Sequence, residues 1–204
     1  MPKQVNVPRK RDPRLAMLTA DAFARNSKLF TDSLPKDMHQ SANVAAQNLG
    51  GLFASATNLA LAVELYLKSL MILLRMDIPN THELWAIFKR LPPKLRSEIE
   101  IEFDSSFDSV PGQPVGLLLD VWAGGEPKAL LPEILTPAKG KYDIKSVLKR
   151  GNNAFVTWRY IYEMGEEGRH VFIEYEYGRL GVLCEILHRI IESGLRDRKI
   201  TIKN

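Results

Sequence analysis

NLALAVELYLKSLMILLRMDIPNTHELWAIFKRL, residues 58–91, is the most apolar run in the chain. From Leu59 to Met76 only Glu64, Lys68, Ser69 and Arg75 are strongly polar. No Pro or Gly interrupts that run, and its Ala, Leu, Met, Glu and Lys residues favour helix. At about 100° per residue, Thr57, Glu64, Lys68 and Arg75 fall within roughly 40° of one another. The pattern predicts a helix buried on most sides with one polar seam, in which Glu64 and Lys68 stand i,i+4 in the favourable order. A membrane span is not expected, because the apolar runs on either side of Glu64 and Lys68 fall short of the ~20 residues a bilayer needs.

Pro79 stops this helix, since it lacks an N–H and disfavours helical geometry before it. Asn80 or Thr81 is expected to cap a short amphipathic helix carrying Leu84, Trp85, Phe88 and Leu91, which Pro92 and Pro93 end. Long helix, tight corner and short helix make an αα-hairpin.

Outward from this hairpin the chain reads as helix after helix. Segments 14–30, 38–76, 83–91, 93–103, 143–163 and 171–193 have helical spacing, with continuation expected through Gly50-Gly51. Leu95, Ile99 and Phe103 form one stripe, and Leu180, Leu183, Cys184, Leu187, Ile190 and Ile191 another, which Gly194 is expected to end. Asp104 to Ser109 reads as loop. Residues 111–140 concentrate Gly and Pro and read as an irregular insertion, with one or two helical turns at 115–122. Gly151 is expected to admit a neighbouring helix closely. No alternating strand pattern of useful length occurs, so the expected class is all-α: a helical bundle without a substantial sheet, spanning residues 14–195 as one domain.

The formal net charge of +4 is unevenly placed: residues 1–14 hold +4 and residues 196–204 hold +3, leaving the body at −3. The arm at 1–13 and the tail at 196–204 are thus basic, and a basic arm can bind nucleic-acid phosphates. The simpler account is a solvated terminus. The N-terminus has no apolar segment of the signal-peptide kind, and the single Cys184 excludes an intrachain disulfide framework. Both features lead to the expectation of a cytoplasmic location.

Ala62-x-Glu64-x-x-Leu67-Lys68, followed after the corner by His82-Glu83-Leu84-x-x-Ile87, resembles the HEPN domain family, named for higher-eukaryote and prokaryote nucleotide binding. Phe155-x-x-Trp158-Arg159-Tyr160-x-Tyr162-Glu163 is similar to a later helix of that family. The resemblance covers about 48–91 and 146–192. Many HEPN members are metal-independent ribonucleases with an Arg-x(4–6)-His motif, which the resemblance places near Arg150. Here Phe155 stands where the His belongs, and Arg150 to Trp158 contains no histidine. The resemblance therefore implies a member without the usual catalytic motif, one that binds a nucleotide, RNA or a protein partner, for instance in a defence or toxin–antitoxin pair. It also implies a homodimer, and surplus apolar residues such as Trp85, Phe88 and Trp122 point the same way.

Three sets of residues are candidates for chemistry. Arg75 and His82 have six residues between them and form the one spacing match to the ribonuclease motif, although His82 at the hairpin corner also suits a structural, turn-fixing role. Glu64 and Arg159 are expected to form an ion pair between neighbouring helices, because a buried carboxylate needs a partner. Lys68, Arg75 and Arg159 could instead hold a phosphate, with Tyr160 or Trp85 stacked on a base. No cofactor is implied. Metal binding is not expected either, since His39, His82, His170 and His188 lack ligand spacing and no H-E-x-x-H occurs.

Overall fold

The computed structural model describes residues 11–33, 42–108, 116–122, 133–135, 142–152 and 170–202. The class is helical. In chain order the elements are α1 (Pro13–Ser33), α2 (Ala42–Leu73), α3 (Leu84–Phe88), α4 (Pro93–Asp108), β1 (Gly116–Trp122), β2 (Glu133–Leu135), α5 (Ile144–Arg150), β3 (His170–Tyr175) and α6 (Tyr177–Ile202).

α2 is the organising helix. It packs against α1, α3 and α6, and it supplies much of one continuous core, including Val63, Leu67, Leu70 and Met71. It runs unbroken through Gly50-Gly51, as expected. Gly51 earns its place because a Cβ there would lie 2.1 Å from the Phe30 ring of α1. Gly50–Leu73 has the length and hydropathy of a bilayer span, yet 67% of that window is buried inside the protein, which is how a core helix passes the same test.

α2 ends in a Schellman motif: the Met76 amide donates to the Met71 carbonyl at 2.9 Å and the Arg75 amide to the Ile72 carbonyl at 3.0 Å. Arg75 occupies the left-handed position of this motif with φ 59°, where glycine is usual. The corner then differs from expectation in its cap. Glu83 is the N-cap of α3 and makes no side-chain cap bond. Thr81 Oγ1 instead accepts from the Glu83 amide at 3.1 Å, and the Trp85 amide donates to Asn152 Oδ1 at 3.2 Å, just past α5.

Three boundaries move for a packing reason. α4 continues through Asp108 rather than stopping at 103, because Phe107 extends the buried stripe. Phe107 meets Phe103 edge-on at 5.3 Å, and the Arg179 guanidinium lies 4.3 Å from its ring centre. α6 continues through Gly194 to Ile202, since the missing Cβ at Gly194 makes room for Leu73 of α2. The basic tail is thus helical up to Ile202, and Arg196 pairs with Glu192 at 2.8 Å. α5 ends at Arg150 with Gly151 as its C-cap, and a Cβ on Gly151 would lie 3.0 Å from Leu84, the close neighbour that glycine was expected to admit.

The sheet is the main departure. Residues 116–122 form a strand rather than helical turns, and 170–175 form a strand where the last helix was expected to begin. The order is β2-β1-β3, antiparallel throughout, with Leu117 opposite both Ile134 and Tyr175. Gly116 is required at the start of β1, where a Cβ would lie 2.3 Å from the Tyr175 carbonyl oxygen. The sheet stands at the edge of the bundle, and its described contributions to the core are Leu117 and Tyr175. The Tyr175 hydroxyl is bonded to Ser55 Oγ at 2.7 Å and Ser27 Oγ at 3.0 Å, joining β3 to α2 and α1. Burial pushes that phenol up to about 12.

Candidate functional site

The hairpin corner holds the first group of polar side chains. Glu64, nearly buried on α2, accepts from Lys68 Nζ at 2.7 Å and from His82 Nδ1 at 3.0 Å. The His82 ring is 75% exposed, so the carboxylate holds one edge of an imidazole that otherwise faces water. His82 therefore ties the corner to α2, the turn-fixing role. Arg75 is exposed at the helix end. Trp85 is half-buried and stacked on Phe88 at 5.7 Å, and Phe88 is fully buried. Lys68, with 19% of its side chain exposed, is paired with Glu64. Arg159 and Tyr160 lie outside the described residues, as does the expected Glu64–Arg159 pair.

Arg150, at the position the ribonuclease motif would use, lies in a second group. Its Nε donates to Glu176 Oε1 at 2.8 Å and lies 3.1 Å from Glu174 Oε2, while its Nη2 also contacts Glu176. Glu176 and Arg179 are both buried, and Arg179 Nη1 donates to the Tyr142 carbonyl at 2.8 Å. Burial raises the Glu176 carboxyl above its ordinary value, with Arg150 opposing the shift, and burial lowers the Arg179 guanidinium. This is an internal network that clamps the start of α6 to α5.

The third group escaped sequence reasoning. A cleft of about 660 Å3 lies among residues of α1, α2 and α6. Leu59, Tyr66, Ala24 and Val182 line it, with Arg25, Lys28 and Asp32 from α1 and Tyr177, Gly181, Glu185 and His188 from α6. These positions recur at three- and four-residue steps on both helices, so each presents one stripe to the cleft. At one end Asp21 Oδ1 accepts from the Tyr66 hydroxyl at 2.5 Å and from His188 Nδ1 at 2.8 Å. Burial raises the Tyr66 phenol far above its ordinary value, and the bond to Asp21 adds to this, so Tyr66 stays a neutral donor. Asp21 Oδ1 accepts at Nδ1, so the neutral tautomer that fits this bond carries its proton on Nδ1 and a lone pair on Nε2. Cys184 also lines the cleft, but burial raises its thiol, which makes it a poor nucleophile.

This cavity, with apolar side chains such as Leu59 and Val182 among charged groups of both signs, has the size of a small-molecule site. No sequence pattern announced it, because Asp21 and His188 are 167 residues apart. The available hint was the concentration of chemically capable residues on single faces, such as Cys184 and His188 one turn apart. No protein-family model matches the chain, and no curated protein or solved structure matches it.

Proposed function

We propose that the chain is a HEPN-like helical binding domain without the usual ribonuclease chemistry, and that its ligand is a nucleotide seated in the cleft between α1 and α6. The cleft itself carries the reading: about 660 Å3, apolar side chains such as Leu59 and Val182 for a flat ring, and Arg25 and Lys28 along one wall for a phosphate. Two observations support the non-catalytic side. Arg150 is neutralised by Glu174 and Glu176, and His82 is held by Glu64 at the corner. Equilibrium titration with nucleoside monophosphates tests the reading. Binding at micromolar to millimolar Kd is expected, and Gly181→Trp, which fills the cleft, should abolish it. Unaltered binding in that variant would move the ligand elsewhere. A mixed RNA incubated without metal should stay intact, and cleavage abolished by His82→Ala would promote the ribonuclease alternative.

Homodimerisation through α1 is the second part of the proposal. The residues first expected to drive it are partly absorbed, since Phe88 is buried and Trp85 leans on it. Among the described residues three of the five exposed large apolar side chains, Leu15, Leu18 and Leu29, share one stripe of α1, while Leu74 and Ile101 stand apart from it. Light scattering at micromolar concentration should give twice the monomer mass, and Leu18→Glu should return it to the monomer.

A further inference from the structure

The cleft is lined by an imidazole of which the described residues engage only one nitrogen. His188 Nδ1 is bound by Asp21, and Nε2 has no hydrogen-bond partner among the described residues. The ring is partly exposed and lines the cleft. Asp21 is itself held by the Tyr66 hydroxyl, so the imidazole is fixed in tautomer as well as position. An acceptor fixed in this way discriminates, because a ligand group that cannot donate to it leaves the nitrogen unpaired.

Gly181 adds an independent observation. It lies inside α6, where glycine is less favourable than alanine. Among the described residues a Cβ at this position would meet no atom within 4 Å, so no described side chain requires the glycine. Gly181 lines the cleft about two turns before His188. A bare backbone on the same helix wall, roughly 10 Å along the axis from His188, leaves the cleft open for a flat ring that reaches the acceptor.

We propose that His188 is the specificity-determining acceptor of this cleft, with Asp21 as its positioning residue. The base edge of a nucleoside 5′-monophosphate donates an N–H to His188 Nε2, and the phosphate lies toward Arg25 and Lys28. The inference rests on the reading that the cleft takes a nucleotide, and it adds which atom reads the base.

The test uses the full chain and titration with the four common nucleoside 5′-monophosphates. The one that binds most tightly is compared with its analogue lacking the N–H donor on the base edge. The expected preference for the donor-bearing ligand is about 10- to 100-fold, the range for leaving one polar group unpaired. In His188→Ala the preference should vanish, with both ligands bound alike. Asp21→Asn is the second variant. Its amide can donate to Nδ1, which turns Nε2 into a donor, so the donor-bearing ligand should weaken while the analogue does not. Thermal melts confirm that each variant is folded, and a purely structural role for either residue would weaken both ligands equally. Binding that Gly181→Trp blocks, but that shows no donor preference, overturns the role of His188 and leaves the cleft reading standing. No binding of any monophosphate overturns both.

Discussion

Two histidine–carboxylate pairs flank α2, and the difference between them lies in what stands behind each carboxylate. Glu64 and Tyr66 are two residues apart, which turns them about 160° from each other around the helix. On the Glu64 side the carboxylate is neutralised by Lys68, and the imidazole of His82 extends into water. On the Tyr66 side Asp21 meets a neutral phenol, and the imidazole of His188 borders a cleft. The first arrangement closes a corner, because Glu64 is answered by Lys68 and His82, and the free edge of that imidazole meets water. The second leaves one acceptor unanswered at a cavity. The same pair of side chains thus serves structure in one place and offers recognition in the other, and their surroundings make the distinction.

The largest expected effect comes from breaking the first pair. Glu64→Ala leaves Lys68, with only 19% of its side chain exposed, facing the space of a lost carboxylate, and it frees the corner histidine. The loss should be about 3 kcal/mol, the lower edge of the range for a broken buried pair, since Lys68 keeps some access to water. Urea unfolding measures it. A loss below about 0.5 kcal/mol would make Glu64 no more important than a surface ion and would erase the contrast. Asp21→Ala should cost less, about 1–2 kcal/mol, because it strands a buried neutral hydroxyl while His188 turns to water. If Asp21→Ala costs more than Glu64→Ala, the cleft pair is the structural one. Because the sites lie on opposite sides of α2, the double variant should add to within about 0.5 kcal/mol.

The helical frame was legible because its signals are local and redundant. α2 has an unbroken apolar run and a proline stop, and Glu64–Lys68 is an i,i+4 pair that the structure keeps. The strands were hidden for a physical reason. Leu117-Leu118-Leu119 is a continuous apolar run, which periodicity alone cannot assign to strand or helix. His170–Tyr175 carries Val171, Phe172, Ile173 and Tyr175, whose β-branched and aromatic side chains favour a strand, but it adjoins a strong helical stripe. The end of α4 failed differently, since Phe107 belongs to the stripe through contacts with Phe103 and with Arg179, 72 residues further on. The cleft pair failed most completely. It joins the first helix to the last, and only the tertiary fold puts Asp21 beside His188.

The smallest effect separates the two glycines of α6. At Gly194 a Cβ would lie 2.7 Å from Leu73 Cδ2, so Gly194→Ala forces a buried leucine to move. That should destabilise by about 1 kcal/mol, at the low end of overpacking costs. At Gly181 a Cβ meets no atom of the described residues within 4 Å, and the backbone there is helical. Gly181→Ala should therefore stabilise by about 0.5–1 kcal/mol, because alanine loses less backbone entropy on folding. The added methyl projects into the cleft and should weaken nucleotide binding, so stability and affinity should move in opposite directions at this one position. Paired unfolding and titration measurements on the two variants check both signs. If Gly181→Ala destabilises as Gly194→Ala does, the glycine serves the packing of α6 and the gap in the cleft wall is incidental. If it stabilises and binding falls, the missing side chain is there for a ligand that the folded chain does not itself supply.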